Sequence, residues 1–348
     1  MDKENQPLLL SEFDFDLPHE LIAQTPLLKR DTSRLLVLNR QDQSLIDDHF
    51  YNLKNYLKKG DILVRNNSKV LPARLFGYKQ DTKAHVEILL LKQKENNCWE
   101  CLVKGSKKVK KGTIIIFDEK LLQAEILEKK ENGLCEIKMI YEGILIEILE
   151  KLGTMPLPPY IKEKLKDQSR YQTVYAKIEG SAAAPTAGLH FSEELLEAII
   201  KMGVEVVDVT LHVGLGTFRP VEVDKIIDHH MHEEYYVIED EVAKKLNQAK
   251  QEGRRIIGIG TTSCRVLETN FRKHHQFVAE AGTTNIFIYP GQQILSLDGL
   301  ITNFHLPKST LIMLVSTFAS KELIFKAYYH AIEEKYRFFS FGDAMLIL

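Results

Sequence analysis

Seven short segments rich in Val, Ile and Leu follow one another between about residues 61 and 140, and glycines at positions 105, 112 and 133 help to separate them. Closely spaced short strands of this kind are typical of a β-sandwich or a β-barrel. We therefore predict a small β-barrel domain over residues 59–152, inserted into a larger domain. The seven segments read "DILVRN", "VLPARLFGY", "HVEILLLKQ", "CWECLVK", "TIIIFD", "LQAEILEK" and "LCEIKMI".

The pattern changes to alternating helices and strands after "GTMPLPPYI". The segment at 192–203 has apolar residues at helical spacing, with Ser192 as N-cap and Gly203 as the stop. Alternation of helix and strand is typical of a layered α/β domain, which we place at residues 1–58 and 153–348. Its predicted strands are "VEVVDVTLHVG", "RIIGIG", "TNIFIYPG" and "ILSLDGLIT", and its further predicted helices are "EDEVAKKLNQAKQEG", "TTSCRVLET", "STLIMLVSTFAS" and "KELIFKAYYHAIEEKY". A further helix, "GILIEILEKLG", is predicted to end at Gly153.

The N-terminus and the hydropathy of the chain bear on its location. The first residues, "MDKENQPLLLSEFDFDLP", are acidic and polar, and they lack the basic start and apolar core of a secretory signal. No apolar stretch approaches the roughly 18 residues that a membrane helix needs. We expect a soluble, cytoplasmic protein with no membrane partner.

The cysteines do not indicate a metal or redox site. Cys98 and Cys101 form a C-x-x-C pair, but the chain has only four cysteines and no second pair to complete four zinc ligands. The pair also lies in an apparent strand, where residues three apart point to opposite faces. We interpret both as ordinary strand cysteines.

Charge is unevenly distributed along the chain. Between Lys58 and Lys111 there are fourteen Lys and Arg against five Asp and Glu, whereas the whole chain has a net charge of −2. A basic block in an acidic chain indicates a polyanionic partner. A solvated, lysine-rich surface explains the composition equally well, so both interpretations stay open here.

The stretch "GSAAAPTAGLHF", residues 180–191, cannot form one helix because Pro185 removes a backbone donor in its middle. Its small residues allow a ligand to approach the backbone closely, and it leads into the N-terminus of the helix that starts at Ser192. His190 is therefore a candidate catalytic residue, with Thr186 and Gly188 beside the substrate. The alternative is tight loop packing with His190 merely hydrogen-bonded.

Two further segments place polar groups after predicted strands. In "TLHVGLGTFRPV" (210–221), His212 precedes Gly214 and Gly216, but the proline at 220 and a missing third glycine argue against a dinucleotide-binding fingerprint. A simple turn is the alternative. In "RIIGIGTTSCR" (255–265), a strand ends in paired glycines before hydroxyl residues and an arginine, a pattern suited to an anion or a ribose. The candidates there are Gly260, Thr261, Thr262 and Arg265. The alternative is N-capping by threonine or serine, which explains the hydroxyl residues but not the paired glycines.

Two polar clusters complete the candidates. "DHHMHEEYY" (228–236) contains Asp228, His232 and Glu234, but it lacks an H-x-x-x-H or H-E-x-x-H frame, so we expect hydrogen bonding rather than a metal. "LITNFHLPKSTLIML" (300–314) places three polar residues between a strand and a helix, where α/β sites are common. These three are Asn303, His305 and Lys308. Helix capping and a lysine lying along the surface are the alternative.

Ten segments together resemble one family, the S-adenosylmethionine:tRNA ribosyltransferase-isomerases of queuosine biosynthesis. They occur in the family's order from about residue 13 to residue 347. The segments are "DFDLP", "NNSKVLPARL", "GTMPLPPYI", "RYQTVYA", "GSAAAPTAGLHF", "LHVGLGTFRPV", "DHHMHEEYY", "GTTSCRVLE", "TNFHLPKSTLIMLVS" and "YRFFSFGDAML". The resemblance implies an α/β domain with an inserted Greek-key-like β-barrel.

The resemblance also implies a reaction. S-adenosylmethionine would donate its ribosyl group, as a co-substrate and not as a recycled cofactor. The acceptor would be 7-aminomethyl-7-deazaguanine at the wobble position of tRNA, and the products epoxyqueuosine-tRNA, adenine and methionine. No metal is expected, and we expect a monomer. A metal-dependent hydrolase and a non-catalytic RNA-binding module are the alternatives.

Residue roles follow from the chemistry that the family implies. Histidines suit both proton transfers, so His190 and His212 would flank the sugar, with His190 the first candidate for the base. Asn303 and His305 would hydrogen-bond adenine or ribose. The residues expected to bind the methionine carboxylate are Thr261, Thr262 and Arg265. The residues expected near the deazaguanine are Asp228, His232 and Glu234. A basic face of the barrel is expected to bind the tRNA backbone through Arg65, Lys69, Arg74, Lys104, Lys107 and Lys108.

Overall fold

The computed structural model describes residues 7–105, 107, 109–163, 165–214 and 221–348. It divides into a larger unit, Met1–Ser68, Pro159–Ile178 and Pro185–Leu348, and a smaller unit, Lys69–Pro158 and Glu179–Ala184. The strands of the described residues are β1 Arg34–Leu38, β2 Leu45–His49, β3 Ile62–Asn66, β4 Ser68–Val70, β5 Arg74–Lys79, β6 His85–Gln93, β7 Cys98–Lys104, β8 Ile114–Asp118, β9 Leu122–Lys129, β10 Leu134–Ile140, β11 Ile178–Ser181, β12 Glu205–Leu211, β13 Glu234–Ile238, β14 Ile256–Ile259, β15 Glu280–Thr284, β16 Gly299–Asn303 and β17 Ala344–Ile347. Their α-helices are α1 Leu145–Leu152, α2 Glu193–Lys201, α3 Asp240–Gln251, α4 Gly260–His274, α5 Thr310–Phe318 and α6 Lys321–Glu333.

The described part of the larger unit is built on a nine-stranded sheet with the order β15-β13-β12-β3-β14-β16-β17-β1-β2. Strands β12, β3, β14 and β16 run parallel, so their carboxyl ends meet at one edge. Every residue of β14 and β16 is buried, as expected for parallel strands that are covered on both faces. The carboxyl edge of these four strands is where ligands bind in α/β sheets.

Helix α2 shows how local sequence sets these elements. The Ser192 hydroxyl accepts a hydrogen bond from the backbone N–H of Leu195 at 3.2 Å, which caps the helix as predicted. Its apolar face, including Leu195 and Ile199, packs with Phe50 and Phe191 in the core against the sheet. Each such fully buried side chain contributes about 1.5–3 kcal/mol to folding. The hydrophobic periodicity and the cap therefore agree with the tertiary structure.

The smaller unit contains a closed barrel with the order β10-β7-β6-β5-β8-β9. Strands β5, β6 and β7 follow as hairpins, and β8 then returns to pair with β5, which is the Greek-key arrangement. The predicted barrel and its Greek-key character are confirmed. Helix α1 ends at Gly153, also as predicted.

One strand was assigned to the wrong sheet. "DILVRN" forms β3 in the nine-stranded sheet, where it pairs in parallel with β12 and β14. Its first three residues are completely buried, which suits a central strand of a parallel sheet as well as a barrel strand. A short apolar run does not identify its partners.

The C-terminal half differs from the prediction in three strands. "TNIFIYPG" is not a strand; β15 lies just before it and shares only Thr284 with it. "DHHMHEEYY" runs into β13, and the C-terminal strand β17 was not predicted. β15 is the edge strand of the sheet and contains a single apolar side chain, Ala281, so its composition is a weak signal for a strand.

Neither the cysteines nor the helices of the described ranges add a further class of site. Cys101 lies directly opposite Cys135 in the barrel, and both are buried free thiols. Burial raises the pKa of both thiols, which keeps them protonated and unreactive. Each described helix is too short or too polar to span a bilayer.

Candidate active site

Three of the predicted polar segments meet at the carboxyl edge of the parallel strands. His212 directly follows β12, Gly260 directly follows β14, and Asn303 is the last residue of β16. The sheet pairs β12 with β3, β3 with β14 and β14 with β16, so these positions succeed one another along one edge. The fold therefore brings three segments with predicted site residues to a common edge of the sheet.

His190 lies in a buried hydrogen-bond network beneath this edge. Asn303 Nδ2 donates to the Phe339 carbonyl oxygen at 3.3 Å and lies 2.9 Å from His190 Nε2. Because the carbonyl can only accept, this atom is the amide nitrogen, and it donates to an unprotonated Nε2. The His190 proton therefore sits on Nδ1 and is donated to Ser33 Oγ at 2.8 Å. The Thr186 hydroxyl donates to Asn303 Oδ1 at 2.8 Å.

The network holds His190 neutral. Burial, together with the positive charges of Arg337 and Arg30, lowers its pKa to about 3. The ring is 4% exposed and packs against Phe50 at a centroid distance of 5.1 Å. Both ring nitrogens have protein partners, so His190 is placed to orient Asn303. Its predicted role as general base stays a prediction.

His305 and Lys308 have protein partners of their own. His305 Nε2 lies 2.8 Å from Thr302 Oγ1, its backbone N–H donates to the Tyr328 hydroxyl, and burial lowers its pKa to about 3. Lys308 forms an ion pair with Asp14 at 2.7 Å, and both side chains are about half exposed. The two residues stabilise the β16–α5 connection, and their predicted substrate contacts remain untested.

A second buried cluster joins three predicted residues from three segments. Arg265 Nη1 donates to Glu234 Oε2, and the backbone N–H of Gly214 donates to Glu234 Oε1 at 2.8 Å. The side chains of Arg265 and Glu234 are 6% and 3% exposed. The remaining buried donors of Arg265, Nε and Nη2, have no hydrogen-bond partner within the described ranges. These two atoms share one edge of the guanidinium, the edge that binds a carboxylate through two parallel bonds.

The hydroxyls of the predicted anion loop lie beside this cluster in the chain. Gly260 begins α4 with a φ of +85°, which favours glycine, and a Cβ there would lie 3.2 Å from Thr262 Oγ1. That Thr262 hydroxyl is buried without a partner among the residues that the structure describes. Thr261 is also buried, in the first turn of α4. The start of α4 therefore carries a hydroxyl donor, that of Thr262, with no partner in the described part of the chain.

His212 differs from the two fully buried histidines. Its ring stacks on Tyr235 at a centroid distance of 5.9 Å, and its Nδ1 is buried with no hydrogen-bond partner in the described part of the chain. Burial lowers its pKa, so the ring is neutral near pH 7. His212 is thus a neutral imidazole with an unused ring nitrogen at a strand end.

The remaining predicted residues near this edge divide into exposed, packed and undescribed positions. Asp228 and His232 are exposed, and no group of three or more His, Cys, Asp or Glu side chains in the described ranges is arranged to hold a metal. Gly188 is explained by packing, because a Cβ there would lie 2.0 Å from Tyr175 Oη. Gly216 lies outside the described residues.

The predicted tRNA-binding residues do not form one barrel face. Placing Arg65 on the barrel was wrong, since it lies in β3 and pairs with Asp208. Several of the others pair with acids inside the smaller unit, which reduces their free positive charge. Lys69 pairs with Glu179 at 2.9 Å, Arg74 and Lys104 pair with Glu87 at 3.6 and 3.2 Å, Lys107 is exposed, and Lys108 lies outside the described residues.

Sequence reasoning missed several residues around His190. Ser33 and Phe50 come from the N-terminal segment, which showed no site pattern, and Arg30 and Arg170 lie near the same histidine. Arg170 is part of "RYQTVYA", one of the family segments, and this was the available signal. The Ser33–His190 contact joins residues 157 positions apart, which no local pattern indicates.

Comparison with known proteins identifies the family. The profile of the family described as "Queuosine biosynthesis protein" matches residues 10–347. A curated S-adenosylmethionine:tRNA ribosyltransferase-isomerase from Staphylococcus haemolyticus (strain JCSC1435) is 58% identical over 339 residues, covering 97% of this chain and 99% of the relative. The chain belongs to the queuosine biosynthesis protein family. A crystal structure of an S-adenosylmethionine tRNA ribosyltransferase from Thermotoga maritima is 40% identical, with a TM-score of 0.57, and covers 97% of this chain and 100% of that chain.

These matches confirm the main predictions. The family predicted from the sequence motifs is correct, and so is the mixed α/β fold with a small barrel. The predicted S-adenosylmethionine:tRNA ribosyltransferase-isomerase activity is confirmed by the 58% identity and by the family.

Proposed function

We propose that this protein transfers and isomerises the ribosyl group of S-adenosylmethionine onto 7-aminomethyl-7-deazaguanine at the wobble position of tRNA. The products are epoxyqueuosine-tRNA, adenine and methionine. The observation that carries the proposal is the 58% identity to a named ribosyltransferase-isomerase over 97% of the chain. The polar residues at the carboxyl edge of β12, β14 and β16 support it, because their chemistry suits this substrate.

Arg265 is suited to the methionine carboxylate of S-adenosylmethionine. One side of its guanidinium is neutralised by Glu234, and the Nε and Nη2 edge stays available. A carboxylate at this edge receives two charge-assisted hydrogen bonds, each worth about 1.5–3 kcal/mol. The nearby Thr261 and Thr262 at the start of α4 add donors for the same anion.

His212 is the residue that we place first as general base. The sulfonium acidifies the adjacent 5′ carbon, and a neutral imidazole with an unused nitrogen can remove a proton there. His190 meets this requirement less well, because both its nitrogens are hydrogen-bonded and its pKa is about 3. In this assignment His190 is a positioning residue that orients Asn303, which would hydrogen-bond adenine or ribose. His305 would support the same loop.

The tRNA completes the proposal. The exposed Asp228 and His232 would approach the deazaguanine or its amine, and the base would be flipped from the anticodon stack to reach the site. The barrel lysines that stay exposed, including Lys104 and Lys107, would contact phosphates. We propose that the protein acts as a monomer in the cytoplasm with no resident metal, and light scattering with elemental analysis tests two of these points.

One incubation tests the activity. The protein is mixed with S-adenosylmethionine and tRNA that carries the aminomethyl base, and free adenine and methionine are measured with the mass of the tRNA nucleoside. Release of both products, together with a nucleoside heavier by the rearranged sugar, is expected. Methylated tRNA with S-adenosylhomocysteine, or hydrolysis without tRNA, would contradict the proposal.

A matched pair of variants tests the base. His212→Gln should lower the rate of adenine release by about 100- to 10,000-fold, because proton-transfer catalysis supplies an effect of this size. His19→Gln, at an exposed position of the same unit, is the control and should behave as wild type. A normal rate for His212→Gln would remove His212 from the mechanism.

A further inference from the structure

A small cleft next to His190 contains two arginines that the mechanism above does not use. Arg30, Arg170, Ser33 and Ser340 line it, with His190 at one side. Its cavity volume is about 20 Å³, which is room for about one water-sized group. This is below the roughly 300–1,000 Å³ of sites for drug-sized ligands. The cleft is therefore too small for a nucleoside, and it suits a single compact group.

The two arginines are bonded to carbonyl oxygens and not to carboxylates. Arg30 donates to the carbonyls of Leu189 and Ser169 at 3.2 and 3.3 Å, and Arg170 donates to those of Leu28 and Leu27 at 3.1 and 2.7 Å. These bonds fix the guanidinium planes but pair neither guanidinium with a carboxylate. Neither arginine has an ion pair within 4.0 Å among the described residues.

The local field in the cleft is positive. The charge of Arg170 and burial both lower the pKa of Arg30, with burial the larger effect. The acid that influences both arginines is Asp167, whose carboxylate is exposed to solvent and accepts from the Ser169 backbone. Two like charges held close together without a buried acid favour an anion between them.

Two residues that line the cleft carry donors without a described acceptor. Arg170 Nε is buried and has no hydrogen-bond partner in the described ranges. Ser33 is 1% exposed and accepts the His190 Nδ1 proton, so its own hydroxyl hydrogen has no described acceptor. A buried hydroxyl and a buried guanidinium N–H together require an acceptor such as an anionic oxygen. The direction of the His190 network thus leaves the hydroxyl proton of Ser33, a residue that lines the cleft, without a described acceptor.

We propose that Arg30, Arg170 and Ser33 form a binding site for one phosphate of the tRNA backbone. The proposal rests on tRNA as the substrate, as given under the proposed function. A phosphodiester oxygen fits the volume and can accept from both guanidinium groups and the hydroxyl. Leu28 accepts a hydrogen bond from Arg170 through its carbonyl oxygen, and the residue is 93% exposed. Its side chain adds an apolar surface for the neighbouring nucleotide. The methionine carboxylate of S-adenosylmethionine has similar chemistry, and the test distinguishes it from a tRNA phosphate.

The test measures two affinities for each variant. Arg170→Gln and Arg30→Gln are compared with Arg254→Gln, which removes the same charge from an arginine paired with Glu205 and Glu252. Dissociation constants for tRNA without S-adenosylmethionine, and for S-adenosylmethionine without tRNA, are measured over a series of KCl concentrations. Circular dichroism verifies folding, and Arg170→Met and Arg30→Met, which also remove the charge, replace any glutamine variant that fails to fold.

The expected result is specific for tRNA. Each cleft variant should weaken tRNA binding by about tenfold or more, since a charge-assisted hydrogen bond is worth about 1.5–3 kcal/mol. The slope of log K against log [KCl] should fall by about 0.7–0.9 for each lost phosphate contact. Affinity for S-adenosylmethionine and the behaviour of Arg254→Gln should stay as in wild type.

Two outcomes overturn the proposal. Unchanged tRNA affinity and salt slope in folded cleft variants would show that no phosphate binds there. Loss of S-adenosylmethionine affinity with normal tRNA binding would assign the cleft to the carboxylate instead. The proposed activity is judged separately, because adenine release by the wild-type protein is measured without reference to these variants.

Discussion

His190 should make the larger unit sensitive to mild acid. In the folded state its pKa is about 3, because the ring is buried and two arginines are near. In the unfolded chain a histidine has a pKa near 6.5. Below pH 6.5 the unfolded state therefore binds a proton that the folded state excludes, and the stability that is full at higher pH is lost as the pH falls from 6.5 towards 3. At pH 5.5 the loss is about 1.4 kcal/mol, and His305, with the same folded pKa, doubles it to about 3 kcal/mol.

The assay is urea unfolding of the wild-type protein, His190→Gln and the exposed control His19→Gln at pH 7.5 and 5.5. Circular dichroism of the helices is the main signal, since α2 to α6 lie in the larger unit. The single tryptophan, Trp99, lies in the barrel and reports the smaller unit in parallel. His190→Gln should lose about 1.4 kcal/mol less than wild type between the two pH values. An equal loss in both proteins would mean that His190 titrates alike when folded and unfolded, and the buried neutral network would be refuted.

Two further changes test the packing of the site. Glu234→Ala leaves the buried Arg265 without its carboxylate and should destabilise the larger unit by about 3–5 kcal/mol. The double variant Glu234→Ala/Arg265→Met should recover much of this stability. Additive losses of the two substitutions in thermal unfolding would contradict the pairing. Gly188→Ala places a Cβ 2.0 Å from Tyr175 Oη and should cost about 1–3 kcal/mol, and adding Tyr175→Phe should restore part of the stability. A Gly188→Ala protein that is stable but binds S-adenosylmethionine poorly would instead support the predicted substrate contact.

Local signals in the sequence predicted local structure well. The Ser192 cap, the end of α1 at Gly153 and the alternating strands of the barrel depend on residues within a few positions of one another. The prediction that "DILVRN" belongs to the barrel was wrong because its partner strands, Glu205–Leu211 and Ile256–Ile259, are more than a hundred residues away. Apolar composition indicates burial but not which strands lie alongside.

In the candidate site, too, local features were predictable and contacts between distant residues were not. Glu234 and Arg265 were both chosen from the sequence, but for different parts of the substrate, and the structure joins them in one buried ion pair. A carboxylate and a guanidinium 31 positions apart give no sign of pairing in a single sequence. The loop "GSAAAPTAGLHF" was correctly judged unable to form one helix, and it contains instead a short 3₁₀ turn at Thr186–His190. Its small residues are explained at Gly188 by Tyr175, a neighbour that only the fold supplies.

The histidines at this edge of the sheet differ in what they can do, and burial is the cause. His190 is held neutral with both ring nitrogens bonded to protein groups, so gaining a proton would break a network as well as charge a buried ring. His305 is also buried, and its Nε2 lies 2.8 Å from Thr302 Oγ1, so charging that ring is costly too. His212, at the end of β12, keeps a ring nitrogen without a described partner and is only partly buried. A reaction that removes one proton from carbon and delivers another to adenine needs a group that can change its charge at modest cost. Of these three histidines, His212 alone meets that requirement, and the other two are better suited to fixing the positions of Asn303 and the loop before α5.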